Sequence, residues 1–119
     1  MPAMVEHKGV ANSIRFLSQR WHQSIRVANL AKAAIMSRRG FQKAFAKHTG
    51  STPGRELRRF RLQRAAKLLA NSNLKAHVIA KMCGYRKLNS FHVAFKQTTG
   101  LSPMQYRRRR ARKAVPSSL

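Results

Sequence analysis

Of the side chains able to do chemistry, this 119-residue sequence is rich in one kind only. Lys and Arg number 26 against two carboxylates, Glu6 and Glu56, with no Asp, giving a formal net charge of +24 at pH 7. Two Glu fifty residues apart make no acid–base pair, and no glycine-rich loop is present to cradle a phosphate. No catalytic residue is therefore expected, and the chain reads as a protein that is not an enzyme. The histidines His7, His22, His48, His77 and His92 fall at no metal-ligand spacing, and Cys83 is the sole thiol, so neither metal nor cofactor is expected. Cys83, between Met82 and Gly84, reads as a small buried core residue. So large an uncompensated positive charge calls for a polyanion. Nucleic acid comes first and an anionic membrane surface second, since basic amphipathic helices also bind lipid. No apolar run approaches the roughly 20 residues that span a bilayer, and the N-terminus lacks an apolar signal-peptide core.

What those cations do depends on how they are placed, and a repeat organises the placement. Phe41, Phe45, Thr49-Gly50 and Pro53 recur fifty residues later as Phe91, Phe95, Thr99-Gly100 and Pro103. Each block reads as a helix anchored by one aromatic face, ended by a glycine able to adopt a left-handed conformation, and followed by proline where the next helix starts. Leu30-Ala31 and Ile79-Ala80 open equivalent units, offset by 49, so the second turn is one residue longer. A short helix, a tight turn and a second helix make a helix-turn-helix, in which the second helix enters the major groove. The Phe pair would fix one face to the core and leave the opposite face free.

The remaining elements follow from apolar spacing. Val10, Ile14, Leu17 and Trp21 predict a first helix, and Val27, Leu30, Ala31 and Ala34 a short second one. Ala28, Ala31, Ala33 and Ala34 would let another helix approach closely. Ser37 is placed to cap the third helix, which runs to His48. A longer helix over 54–71 carries an inward stripe of Leu57, Arg61 through its stem, Leu62, Ala65, Leu68 and Leu69. Val78 to Met82 form a short helix, Gly84-Tyr85 a turn, and Leu88 to Gln97 a helix. Ser102-Pro103 opens the last helix, with Met104 and Tyr106 packing back. Phe41, Phe45, Phe91, Phe95, Trp21 and Tyr85 read as core rather than as stacking platforms for bases. The run Arg107 to Lys113 reads equally well as a solvated tail and as a phosphate contact. The expected fold is all-α: seven helices in two helix-turn-helix subdomains joined by a long linker helix. The expected divisions are a flexible leader 1–9, a first subdomain 10–52, the linker 53–72, a second subdomain 73–113 and a frayed tail 114–119.

From Ile25 to Arg107 the chain resembles the DNA-binding domain of the AraC/XylS family of bacterial transcription regulators. The resemblance rests on Leu30-Ala31, Ser37, Phe41, Phe45, Thr49-Gly50, Pro53, Arg61-Leu62, Ala65 and Leu68-Leu69. It continues through Ile79-Ala80, Gly84-Tyr85, Phe91, Phe95-Lys96, Thr99-Gly100, Pro103 and Tyr106-Arg107. It implies two recognition helices in successive major grooves of double-stranded DNA and a chain that acts as a monomer on its site. It also implies a cytoplasmic, nucleoid-bound activator that touches RNA polymerase and has no membrane partner. The resemblance implies base reading by Arg39, Gln42 and Lys43 on the first recognition helix and by Leu88, Asn89, Ser90, His92 and Val93 on the second. It implies phosphate contacts by Arg38, Arg86, Lys87, Lys96 and Arg107. Arg39 and Lys43 suit guanine, Gln42 and Asn89 suit adenine, and Leu88 and Val93 can offer only apolar contact. The first helix should therefore supply most of the hydrogen-bonded readout. Arg26 and Arg86-Lys87 depart from the family pattern, standing where small polar residues usually open helices. Family members often carry a sensing domain larger than this whole chain, so the sequence fits either a small stand-alone regulator or the DNA-binding end of a longer one. The competing reading is a basic protein that compacts nucleic acid or disturbs membranes by charge alone, with no use for the duplicated motif.

Overall fold

The computed structural model describes residues 7–21, 23 and 25–114. Among them are seven helices and no strand: α1 Lys8–Arg20, α2 Val27–Ala33, α3 Arg38–Thr49, α4 Pro53–Asn71, α5 Ala76–Met82, α6 Leu88–Thr99 and α7 Pro103–Ala114. The expected all-α fold is the one observed. The chain divides into two compact units, one ending at Phe60 and one beginning at Arg61. The division falls inside α4, which gives Leu57 to the first core and Leu62, Ala65 and Leu69 to the second.

In the first unit α1, α2, α3 and the start of α4 close over Val10, Leu17, Ile25, Leu30, Ala31, Ala34, Phe41, Phe45 and Leu57. Helix α1 starts at Lys8, ahead of the expected Val10, because the Nδ1 of His7 accepts the Val10 N–H at 3.1 Å and caps it. His7 to Gly9 thus belong to the helix and its cap; the rest of the expected leader lies outside the described residues. The buried face of α1 is Val10, Ser13 and Leu17, with Ile14 and Trp21 only half-buried. Ser13 is tolerated there because its hydroxyl donates to Val10 O at 2.6 Å. Of the alanines expected to admit a close neighbour, Ala31 and Ala34 are buried and Ala28 is exposed. Glu56 is buried to 6% exposure, where its carboxylate pairs with Arg59 at 3.2 Å and accepts from Ser51 Oγ at 3.4 Å.

The second unit closes over Leu62, Ala65, Leu69, Ile79, Ala80, Cys83, Phe91 and Phe95. Leu68, expected inside, is only half-buried; the inward line passes through Ala65 and Leu69 at i, i+4, and Leu68 sits about 100° off it. Met104 is likewise exposed and Pro103 takes the buried position, while Tyr106 packs edge-on against Phe95 with ring centres 5.4 Å apart. Tyr85 is half-buried against Phe91 at 5.5 Å.

Candidate nucleic-acid interface

The duplicated motif is a hydrogen-bonded latch at each helix end. Thr49 Oγ1 donates to Phe45 O at 2.7 Å and accepts the Ser51 N–H at 3.1 Å; Thr99 Oγ1 donates to Phe95 O at 2.8 Å and accepts the Leu101 N–H at 3.1 Å. Gly50 and Gly100 follow with φ of 73° and 80°, and each closes the last turn through its own N–H. Threonine satisfies one carbonyl and one amide that the helix end would leave unpaired, and glycine takes the left-handed residue without steric cost. The next helices are capped in the same way: Thr52 Oγ1 accepts the Arg55 N–H and Ser102 Oγ the Gln105 N–H, both at 3.2 Å. Pro53 and Pro103 fill the first helical position, where no N–H is needed.

The two turns into α3 and α6 also share their first hydrogen bonds, although the second is one residue longer, 83–87 against 34–37, as the sequence offset predicts. Met36 N–H reaches Ala31 O and Tyr85 N–H reaches Ala80 O, at 3.0 and 2.9 Å. The residue before each is left-handed: Gly84 with φ 90° and Ile35 with φ 58°. Glycine suits that position, but a β-branched residue is strained in it. Space is also short at Gly84, since a Cβ there would lie 2.9 Å from the Cζ and Nε of Arg61 and that side chain would have to shift. Burial of that guanidinium pulls its pKa below the ordinary value, with Tyr85 and Cys83 opposing the shift. Cys83 is wholly buried beside it, and burial pushes the thiol up to about 11 despite the nearby Arg64 and Arg61.

These latches and turns fix which faces of α3 and α6 remain open. In α3, Phe41 and Phe45 are buried, and Arg38, Arg39, Gln42 and Lys43 are exposed. Ser37 Oγ caps the helix by accepting the Gly40 N–H at 3.1 Å, as its position in the sequence predicts. In α6, Phe91 and Phe95 are buried, Leu88 is 42% and Val93 50% exposed, and Asn89, Ser90 and Lys96 face solvent. Arg86 and Lys87 are exposed ahead of α6, whose N-cap Lys87 makes no side-chain cap. At Arg26 the missing cap is offset in part, because Asn29 Oδ1 accepts the Arg26 N–H at 2.8 Å.

Two of the expected contact residues sit differently from the rest. His92 occupies the α6 position that Gln42 holds in α3, yet it is half-buried, its ring 6.2 Å from Phe91 and its Nε2 buried without a hydrogen-bond partner. Arg107 is half-buried and works within the fold: Nε donates to Leu69 O at 2.9 Å and Nη2 to Leu74 O at 2.6 Å, tying α7 to the end of α4 and the segment after it. Gln105 escaped the sequence reading, although the Ser102-x-x-Gln105 spacing signals a capping box; its Oε1 accepts the Ser102 N–H at 3.0 Å.

A helix-turn-helix domain model matches residues 30–109. An HTH-type transcriptional regulator of Haemophilus influenzae is 42% identical over 88 residues, 74% of this chain and 28% of its own length. The RCS-specific transcriptional activator RclR of Escherichia coli K12 is 41% identical over 83 residues, 70% of this chain and 29% of its own length. The chain thus spans less than a third of either relative. Among solved structures, the DNA-binding domain of the global transcriptional factor AdpA, in complex with a target DNA, superimposes with a TM-score of 0.85 at 32% identity. That match covers 91% of this chain and 98% of the AdpA chain. The matched span takes in both latches, both turns and the whole of α4, and on that ground the chain belongs to the AraC/XylS family of helix-turn-helix transcription regulators.

Proposed function

We propose that the chain reads duplex DNA by sequence and regulates transcription, acting as an activator through contact with RNA polymerase. The observation that carries this reading is the pair of helices α3 and α6, each held by two buried phenylalanines and each presenting a differently composed open face. The AdpA domain, alike in fold and solved on its target DNA, supports the same conclusion. Base edges are read by Arg39, Gln42 and Lys43 from α3 and by Leu88, Asn89, Ser90 and Val93 from α6; His92 is set back from that face. Arg38, Arg86, Lys87 and Lys96 hold phosphates and set register without reading sequence. One chain suffices for a site of two major grooves about one helical turn apart, because each chain carries two readers. Binding by charge alone would have no use for two unlike helix faces, and no described helix is long and apolar enough to cross a membrane.

The test is binding of single-residue variants to a panel of single-base operator variants. Arg39→Ala and Gln42→Ala should each remove about 1–3 kcal/mol of discrimination in one half of the site. Asn89→Ala should remove less in the other half, and Lys87→Ala should weaken all sequences equally. A half-site read mainly through α6, or a site that needs two chains, would overturn the assignment.

A further inference from the structure

Four consecutive arginines open the basic end of α7, and the fold uses them in different ways. Arg107 is tied to the carbonyls of Leu69 and Leu74. Arg110 lies over the ring of Tyr106, 5.9 Å from its centre, and that ring packs on the buried Phe95. These two contacts fix the rotation of α7 about its axis. Arg108 and Arg109 are exposed, and together with Leu101 and Gln105 they line an open cavity of about 200 Å³.

The chemistry of that lining is one-sided. A guanidinium only donates. The Oε1 of Gln105 is already taken by the Ser102 N–H, so its amide has chiefly N–H donors left to offer. No Asp or Glu occurs anywhere from Arg61 to Leu119, so this unit has no side-chain carboxylate to neutralise the two arginines. Two like charges on adjacent residues, with donors around them, are stabilised by an anion from outside. Paired guanidinium forks match the oxygens of a phosphate. The volume holds a tetrahedral oxyanion with water beside it, a water occupying about 30 Å³.

We propose that Gln105, Arg108 and Arg109 form a phosphate seat on α7, separate from the two recognition helices. The oxyanion is a backbone phosphodiester of the bound duplex or a free phosphate. The first source rests on the DNA-binding reading above; the second does not depend on it.

The experiment compares the full chain with the double variant Arg108→Gln/Arg109→Gln. The control is Lys67→Gln/Lys81→Gln, which removes the same charge from exposed positions elsewhere in the unit. Duplex affinity is measured against salt, and inorganic phosphate is titrated while the amide resonances of residues 101–109 are followed, with chloride at equal ionic strength as reference. If the seat holds a phosphodiester, the double variant lowers the log–log salt slope by about 0.9 on every sequence, the value for one phosphate, and the control does not. If it holds free phosphate, the slope stays unchanged. Phosphate then shifts those resonances saturably in the natural chain and not in the double variant. An unchanged slope with no saturable shift overturns the seat, as does a control that lowers the slope equally without any phosphate shift. If the natural chain binds no DNA, the proposed function fails and the phosphate titration alone decides this inference.

Discussion

Ile35 and Gly84 occupy the same place in the two turns, and only one of them suits it. Ile35 holds φ 58° and is 88% exposed, so it bears left-handed strain with little burial in return. Ile35→Asn should therefore stabilise the protein by about 1 kcal/mol, because asparagine tolerates that conformation and no packing is lost. Thermal denaturation checks this, and an unchanged or lower melting temperature would show that the isoleucine is held by something other than the turn. Gly84→Ala should do the reverse. It places a Cβ against the half-buried Arg61 guanidinium in a backbone conformation that alanine avoids, at a cost of about 1–3 kcal/mol. If that cost arises from the contact, replacing Arg61 with Ala should make the second substitution cheaper than it is in the natural chain.

At the scale of the element, α4 is the helix whose inward face the sequence located least well. The stripe from Leu57 through Leu62 and Ala65 was legible because spacings of three and four recur. Leu68 and Leu69 both satisfy that spacing, and only tertiary packing within the second unit decides between neighbours 100° apart. Leu69→Ala should cost about 2–5 kcal/mol and Leu68→Ala clearly less, measured by chemical denaturation. Equal losses would mean that the inward face is set differently. The same ambiguity placed Met104 inside where Pro103 is buried. Of each latch, the left-handed glycine and the proline opening the next helix were legible from residue type, whereas the two hydrogen bonds of each threonine hydroxyl were not, because Thr49 and Thr99 bond to backbone groups that only the formed helix end brings within reach. Within the candidate interface, the exposed faces of α3 and α6 followed from the phenylalanine spacing alone. The deeper seat of His92 and the internal bonds of Arg107 did not. One depends on how α6 beds against its neighbours, and the other on carbonyls 33 and 38 residues away in sequence.

For the whole molecule, charge governs behaviour. The formal net charge is +24, and with two acids in the sequence, one of them buried against Arg59, the carboxylates are far too few to neutralise the 26 Lys and Arg. If about 6–10 phosphates are neutralised, affinity for duplex DNA should fall by about 10³–10⁵ between 50 and 200 mM salt. A nearly flat dependence, read by titration at several salt concentrations, would rule out the phosphate clamp. The stability of each half is a separate matter from charge, and the lone cysteine offers a way to follow one of them. Cys83 is wholly buried, belongs to the second unit alone, and is pushed up to about 11, so at neutral pH it is both shielded and protonated. A thiol reagent can modify it only in molecules whose second unit has opened, because the thiolate is the reactive form and the core excludes the reagent. The rate of labelling is thus a clock wired to one half of the chain and blind to the other. Run with and without duplex DNA, it would time how long that half stays shut on its site.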